Sequence, residues 1–177
     1  MPALSFAFPL LLALAGQASL APFVGTPPDV VERMLALAGT GPGDVVYDLG
    51  CGDGRIVIAA ARKFGATGVG VDIDPALVAQ AQAAAAAAGV AHLVTFRVQD
   101  AMTVDVSDAT VVTLYLLAAS NAKLRPVLTR TLKPGARIVA HNFPLGGGWE
   151  PAVIDDFTDA AGTRRTLYLW RADGVVH

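Results

Sequence analysis

One stretch, Val45–Arg55, constrains the fold of this chain more than any other. It reads VVYDLGCGDGR, so that a short apolar run ends in an acid, Asp48. Three glycines follow at alternate positions: Gly50, Gly52 and Gly54. The alanine-rich segment that comes next, Ile56–Ala61, has helical spacing, and the whole pattern predicts a strand, a tight turn and the start of a helix. Glycines in such a turn let the backbone approach a ligand closely, and the helix N-terminus adds unpaired N–H groups.

A dinucleotide-binding loop, G-x-G-x-x-G, is the obvious alternative for this turn. Counted from Gly50, its third glycine would fall at Arg55, so the pattern fails. Asp48 and the three glycines instead resemble the first motif of class I S-adenosylmethionine (SAM) methyltransferases. The resemblance implies that the acid and the turn, with Cys51 inside it, hold the methionine end of SAM. A βα turn without a ligand is the alternative.

Composition narrows the classes of function. A length of 177 residues suits one domain with a sizeable core. The formal net charge of −2, with no block of like charges, argues against a nucleic-acid partner, which needs a basic face. Cys51 is the only cysteine, so the chain has no intrachain disulfide and no cysteine-based zinc site, and we expect no metal. In the turn, Cys51 is better interpreted as a small residue than as a nucleophile.

The first 21 residues are predicted to be an apolar segment apart from the domain, which we place at residues 22–177. The chain has no charged residue before Asp29, and Phe6–Ala15 is strongly apolar. A signal peptide, a membrane span and a start codon placed too early are the three interpretations of this segment. We expect a cytoplasmic catalytic domain, with a tether to the inner face of a membrane and an export signal as the alternatives left open.

Acids follow the next two predicted strands. Gly68–Asp72 is a short buried strand, and Asp72 lies 18 positions past Gly54, a spacing that suits an acid accepting both ribose hydroxyls. Asp72 could instead cap the helix that follows, although Asp74 fits that cap better. His92–Val98 is the third strand, and Asp100 follows it, where the methyltransferase pattern has an acid for the adenine amino group. The next residues along the chain, Ile73 and Ala101, are expected to line the same site.

The remaining pattern predicts a doubly wound α/β fold. We expect a first helix capped by Thr26, five βα-type units and a closing antiparallel hairpin, which makes a mostly parallel seven-stranded sheet. Pro126 is awkward inside a helix, so the fourth helix should start near Leu124. Parallel strands bind ligands at their carboxyl ends. Five polar residues are predicted to lie at such ends: Asp48, Asp72, Asp100, Tyr115 and Asn142.

From Pro22 onwards the chain resembles one branch of the SAM-dependent methyltransferases, the small protein-lysine methyltransferases of the archaeal broad-specificity type and the ATP synthase c-subunit type. The resemblance rests on these stretches: PFVGTP from Pro22, Tyr47–Ala61, Ala109–Leu117, Leu132–Val139, His141–Phe143 and Trp149–Pro151. It implies SAM as cofactor, Thr26 beside it, and a protein lysine as acceptor. The chain departs from the family pattern at two positions, with Phe23 in place of tyrosine and Gly25 in place of the second proline, so Phe23 lacks a hydroxyl that could contact cofactor or substrate.

The implied chemistry is methyl transfer to an amine. A lysine has a reference pKa near 10.4 and must lose a proton before it attacks, and a pocket of aromatic and apolar groups would lower that pKa. Tyr115, Asn142 and Trp149 are the candidates for this pocket, and His141 is the candidate proton shuttle or else a packed core histidine. The acceptor is expected to be a protein, with membrane proteins among the candidates. A small-molecule or lipid methyltransferase and a non-catalytic SAM-binding protein are the alternatives.

Overall fold

The computed structural model describes residues 24–177, and the predictions for residues 1–21 lie outside that range. Within it, seven strands form one sheet: β1 (Val45–Leu49), β2 (Thr67–Asp72), β3 (Val94–Val98), β4 (Val111–Leu114), β5 (Arg137–His141), β6 (Val153–Thr158) and β7 (Arg164–Arg171). The helices are α1 (Pro28–Leu37), α2 (Arg55–Phe64), α3 (Pro75–Ala87) and α4 (Ala118–Thr131). A short 3-10 helix spans Ala101–Thr103. None of the helices described is long and apolar enough to cross a bilayer.

The sheet has the order β3-β2-β1-β4-β5-β7-β6. β1 to β5 pair in parallel with one another, and β7 runs antiparallel to both β5 and β6. The predicted doubly wound, mostly parallel sheet with a terminal antiparallel hairpin is therefore confirmed. β1 pairs with β2 on one side and β4 on the other, so the strand order reverses there. A crevice at the carboxyl end of β1 is where such a sheet binds ligands.

Helices cover both faces of the sheet because the strands are apolar on both sides. On one face, α1 and α2 pack over alternate strand residues such as Val46, Val111 and Val139. α3 continues this layer, since Ala81 on α3 packs with α2 and with Phe96 on β3. On the other face, α4 packs over the residues between those, including Leu49, Val112 and Ile138. The two apolar layers fix β1 at the centre of the molecule.

Three local predictions are wrong. Thr26 does not cap α1: the N-cap is Pro27, no side chain caps the helix, and Thr26 is instead buried. α4 begins at Ala118 rather than near Leu124 and runs through Pro126, because its apolar face packs on the core strongly enough to offset the lost hydrogen bond. The chain also lacks two of the five βα-type units, since a 3-10 helix follows β3 and a loop follows β5 in the described residues.

The first helix is fastened to the last hairpin. Arg33 on α1 donates two hydrogen bonds to Asp155 on β6, at 2.6 and 2.8 Å, and its guanidinium lies 4.3 Å from the centre of the Phe157 ring. Asp29, in the first turn of α1, accepts the backbone N–H of Ala160 at 2.7 Å. The start of α1, and the residues just before it, are thereby held in place by the far end of the sequence.

Candidate active site

A cavity of about 300 Å³ lies at the carboxyl ends of β1, β2 and β4, where the order of the sheet reverses. Of the residues predicted to bind the cofactor, seven line it: Thr26, Asp48, Gly50, Cys51, Asp72, Ile73 and Ala101. Tyr115, a predicted catalytic residue, also lines it. Gly52, Gly54, Asp100, His141 and Asn142 do not. Most of the residues predicted to bind the cofactor therefore line one cavity.

The glycine turn needs its glycines for two reasons. Gly50, Gly52 and Gly54 have φ values of 84°, 52° and 78°, a region that other residues rarely adopt. A side chain at Gly50 would come within 2.8 Å of Leu116 at the cavity wall, whereas one at Gly54 would meet Phe96 and Ala81. Gly50 therefore keeps the cavity open, and Gly54 allows α2 to pack closely on β3 and α3.

Asp48 is an acid buried at the end of β1. The residue is 2% exposed, and its carboxyl group accepts a hydrogen bond from the Thr113 hydroxyl at 2.8 Å. Burial raises the pKa of Asp48 to about 7, with the Thr113 hydrogen bond opposing the shift and the charges of Asp72 and Asp53 adding to it. A cationic ligand in the cavity would favour the ionised carboxylate, so Asp48 is suited to receive positive charge.

Asp72 supports the glycine turn as well as the cavity. One carboxylate oxygen accepts the backbone N–H of Gly52 at 2.9 Å, and the other accepts that of Asp74 at 3.0 Å. Each oxygen keeps a second lone pair, so two neighbouring hydroxyl donors can still be accommodated. Asp74, as expected, caps α3 by accepting the N–H of Ala76 at 2.8 Å.

Asp100 begins the 3-10 helix that follows β3. Its carboxylate accepts the backbone N–H of Met102 at 2.9 Å, so it acts as a helix cap in the described structure. The residues on either side of it, Gln99 and Ala101, line the cavity. The segment predicted to meet the adenine therefore reaches the cavity, with the Asp100 carboxylate turned to its own backbone.

The rings of Tyr115 and His141 pack on each other, tilted by 30°, at the ends of β4 and β5. Their ring centres are 4.0 Å apart, and His141 is fully buried, with no hydrogen-bond partner for either ring nitrogen. Burial lowers the pKa of His141 to about 4, helped by the nearby charge of Arg165, so the imidazole is neutral at physiological pH. Tyr115 therefore faces the cavity, and His141 lies behind it.

The other two candidates for the acceptor pocket have structural contacts. Asn142 has a φ of 61°, and its side-chain oxygen accepts the N–H of Thr166 at 3.1 Å, which fixes the loop after β5. Trp149 stacks on His177 with ring centres 4.5 Å apart, and its carbonyl accepts the indole N–H of Trp170. Trp149 does not line the cavity.

An ion pair that was not predicted from the sequence lies at the cavity mouth. Asp53, inside the glycine turn, and Arg55, at the start of α2, both line the cavity and pair through two hydrogen bonds. The Arg55 side chain holds the pKa of Asp53 below its usual value, against the effect of burial. The available signal was an arginine directly after the turn, a position where a cation is disfavoured at a helix N-terminus.

The residues present fit SAM. An adenosyl ligand needs a carboxylate for its ribose hydroxyls and a glycine turn that its amino-acid end can approach, and both line this cavity. Within the described residues, no cluster of side chains could hold a metal ion. The buried thiol of Cys51 has a pKa raised by burial and by neighbouring carboxylates, so it is a poor nucleophile and acts as a small lining residue.

Comparison with known proteins agrees with this geometry. Residues 48–153 match the family model of the ANTKMT methyltransferase domain. A protein-lysine N-methyltransferase of Saccharolobus islandicus is 42% identical over 84% of this chain and 92% of its own length. Two mammalian relatives are the mouse adenine nucleotide translocase lysine N-methyltransferase (37% identical over 78% of this chain) and the human ATP synthase c-subunit lysine N-methyltransferase (35% over 73%). The matched regions cover 60% and 54% of those two proteins.

A solved structure supports the fold and the cofactor together. It is a crystal structure described as that of an RNA methyltransferase from Salinibacter ruber in complex with S-adenosylhomocysteine, 51% identical, with a TM-score of 0.80 over 87% of this chain and 97% of that one. The family match, the identity to these relatives and the cavity at the end of β1 lead to one conclusion. The chain belongs to the ANTKMT methyltransferase domain family and is a SAM-dependent methyltransferase.

Proposed function

We propose that this enzyme transfers methyl groups from SAM to the side-chain amine of lysine in a protein. The observation on which the proposal rests is the charge of the cavity. Four carboxylates line it, those of Asp48, Asp53, Asp72 and Asp74, against one guanidinium, that of Arg55. A cationic lysine is attracted to such an opening. The relatives named as lysine methyltransferases support the same acceptor.

RNA is the competing acceptor, because the Salinibacter ruber protein is described as an RNA methyltransferase. The phosphates of RNA would approach a cavity whose lining contains more acidic than basic side chains, and like charges facing each other across an interface oppose binding. The net charge of −2 adds no long-range attraction for a polyanion. The charge of the cavity therefore favours a protein acceptor, and RNA becomes an outcome of the test.

The proposed roles follow the geometry of the cavity. SAM supplies an activated methyl group on its sulfonium. Asp72 would hold the ribose, Asp100 the adenine amino group with Ala101 and Ile73 beside it, and the turn around Asp48 the methionine end. Thr26, Gly50 and Cys51 would complete that end, while Gly52 and Gly54 shape the turn.

Tyr115 is the proposed catalytic residue for the acceptor. Its hydroxyl would accept a hydrogen bond from the lysine amine, and the apolar wall beside it, which includes Leu116, would favour the neutral amine that can attack. His141 would hold the Tyr115 ring from behind, and its low pKa makes this role better supported than that of a proton shuttle. Asn142 would shape the loop on the acceptor side.

The proposal extends to location and partners. Residues 1–21 would tether a cytoplasmic domain, residues 22–177, to the inner face of a membrane, which would bring membrane proteins within reach as acceptors. The absence of charged side chains and the strongly apolar sequence of this segment support the tether.

One labelling experiment tests the acceptor. The full chain is incubated with methyl-labelled SAM and, separately, with soluble proteins, membrane vesicles and total RNA, and Tyr115→Phe serves as the matched control. Label on lysine, found by mass spectrometry and reduced at least tenfold in the control, supports the proposal, and its appearance in vesicle proteins supports the tether. Label in RNA, in lipids or in small molecules alone, or bound SAM without transfer to any fraction, would contradict it.

A further inference from the structure

We infer that Arg55 is a positioning residue that fastens residues 24–27, here called the strap, over the cofactor cavity and so slows the release of SAM. The strap precedes α1, and three of its residues, Val24, Gly25 and Thr26, line the cavity. They lie far in sequence from the glycine turn that they face. A contact between the two segments is therefore needed to hold the strap against the turn.

The Arg55 guanidinium makes that connection. Its Nη1 donates to the carbonyl oxygen of Thr26 at 3.0 Å. Its Nε and Nη2 donate to the two carboxylate oxygens of Asp53, at 2.8 and 2.5 Å. One side chain thus bonds the strap to the glycine turn, and the forked pair with Asp53 fixes the plane of the guanidinium.

Gly25 supplies the space for this contact. A Cβ atom at Gly25 would overlap the guanidinium of Arg55. Gly25 is not among the glycines with positive φ, so alanine fits its backbone conformation. The guanidinium is the end of a flexible side chain, and a methyl group would displace it without moving the core. Gly25 is therefore a glycine because Arg55 packs on it.

The position of Arg55 is otherwise unfavourable. It is the first residue of α2, where the partial positive charge of the helix end repels a cation, and the first turn of α2 contains no acid. Asp53 offsets this repulsion from outside the helix. The hydrogen bond from Arg55 to the strap explains why a cation occupies this unfavourable position. The inference concerns retention of SAM and is independent of which acceptor the enzyme uses.

The test measures how fast the full chain, loaded with tritiated SAM, releases it after a chase of unlabelled SAM. Arg55→Met removes the donors at similar length, and Gly25→Ala displaces the guanidinium. Each should speed release about tenfold, the effect of losing one charge-assisted hydrogen bond. The double variant Gly25→Ala/Arg55→Met should release no faster than Arg55→Met, because both changes break the same contact. Arg62→Met is the matched control, an exposed arginine on the same helix, and should behave as the wild type.

Two results would overturn the inference: release from Arg55→Met at the rate of the control, or effects of the two single changes that multiply in the double variant. Melting temperatures of the SAM-free proteins distinguish a loss of the fold from a loss of this one contact. Gly25→Ala and Arg55→Met should both melt at the same temperature as the Arg62→Met control. If Arg55→Met melts far below it, Arg55→Lys takes its place. Lysine keeps the charge but cannot bridge Thr26 and both oxygens of Asp53, so faster release is again expected. If the wild-type chain labels no lysine while Arg55→Met and Gly25→Ala still release SAM faster than the control, only the proposed acceptor is contradicted.

Discussion

Thr113 on β4 donates its hydroxyl to the Asp48 carboxyl group on the neighbouring strand β1, with 2.8 Å between the two oxygens. Both residues are buried, at 0% and 2% exposure. The hydrogen bond favours the ionised carboxylate, yet burial outweighs it and the pKa of Asp48 is raised to about 7. Near physiological pH, a substantial fraction of the unliganded enzyme therefore holds a proton at the centre of its cofactor cavity.

We expect SAM binding to displace that proton. The sulfonium favours the ionised carboxylate, so SAM affinity should rise as the pH rises through about 7. Calorimetry in buffers of different ionisation enthalpy should show a proton released by the wild type. Asp48→Asn should bind SAM more weakly and release less than the wild type. Comparing the two proteins removes the titration of the ligand, and equal proton release from both would contradict the prediction.

The same shift predicts how stability depends on pH. A carboxyl group whose pKa is higher in the folded protein binds its proton more tightly there, so its contribution is full below the unfolded pKa near 3.8 and is lost as the pH rises through about 7. The free energy of unfolding of the SAM-free enzyme should therefore fall between pH 4 and 7 less steeply in Asp48→Asn than in the wild type. Denaturant titrations at several pH values measure this difference.

Asp72→Ala should weaken SAM binding by about 1–3 kcal/mol, the cost of leaving buried ribose hydroxyls without an acceptor. The change also removes the acceptor for the Gly52 N–H, so the loss is expected at the upper end for Ala and smaller for Asp72→Asn, which keeps one oxygen. Asp108→Ala, at an exposed acid away from the cavity, is the control. Unchanged affinity for SAM by calorimetry would remove Asp72 from the site.

Tyr115→Phe should lower turnover about tenfold to hundredfold while changing the dissociation constant of SAM less than twofold. The ring that packs on His141 is retained, so the melting temperature should match that of the wild type. Steady-state kinetics with a labelled protein acceptor, alongside calorimetry with SAM, gives the two quantities. Turnover equal to that of the wild type would exclude a role for the hydroxyl.

His141→Phe should make the enzyme less sensitive to acid. Since the pKa of His141 is lowered to about 4 from an unfolded value near 6.5, the unfolded chain binds the proton first, and stability is lost as the pH falls through this window. The variant has no such titrating group. As the pH falls, its free energy of unfolding, expressed relative to its own value at pH 8, should therefore decrease less than that of the wild type. His92→Phe, at an exposed histidine, is the control. Parallel curves for all three proteins would contradict the prediction.

Local signals in the sequence were enough for the sheet and for the glycine turn beside the cavity. Apolar runs identified β1, β2 and β4, and the alternate glycines placed the turn, because both patterns depend on residues close together in sequence. Pro126 gave the wrong start for α4, since the packing of Leu124 and Leu128 on the core outweighs a local preference. Packing between distant segments could not be read from local pattern.

The candidate site shows the same division. Asp48 and Asp72 lie at the carboxyl ends of β1 and β2, and Tyr115 directly follows β4. The topology brings these strand ends together. Trp149 was expected in the acceptor pocket because of its residue type, whereas the structure stacks it on His177. Arg55 was missed because its partner, the carbonyl of Thr26, is 29 positions away and is identified only by the folded chain. A side chain that binds a backbone group cannot be predicted from a motif, because every residue type offers the same backbone group.

The bond between Arg33 on α1 and Asp155 on β6 has a consequence for biosynthesis. The residues before α1 leave the ribosome long before β6 and β7 do. A nascent chain that ends at β5 already contains the glycine turn and the packing of α1 on α2, but it lacks Asp155 and therefore the bond that joins α1 to the closing hairpin. We expect such a chain to hold the strap less firmly than the finished protein and to release its methyl donor faster. Full retention of the methyl donor would then be reached only after the closing hairpin has been synthesised.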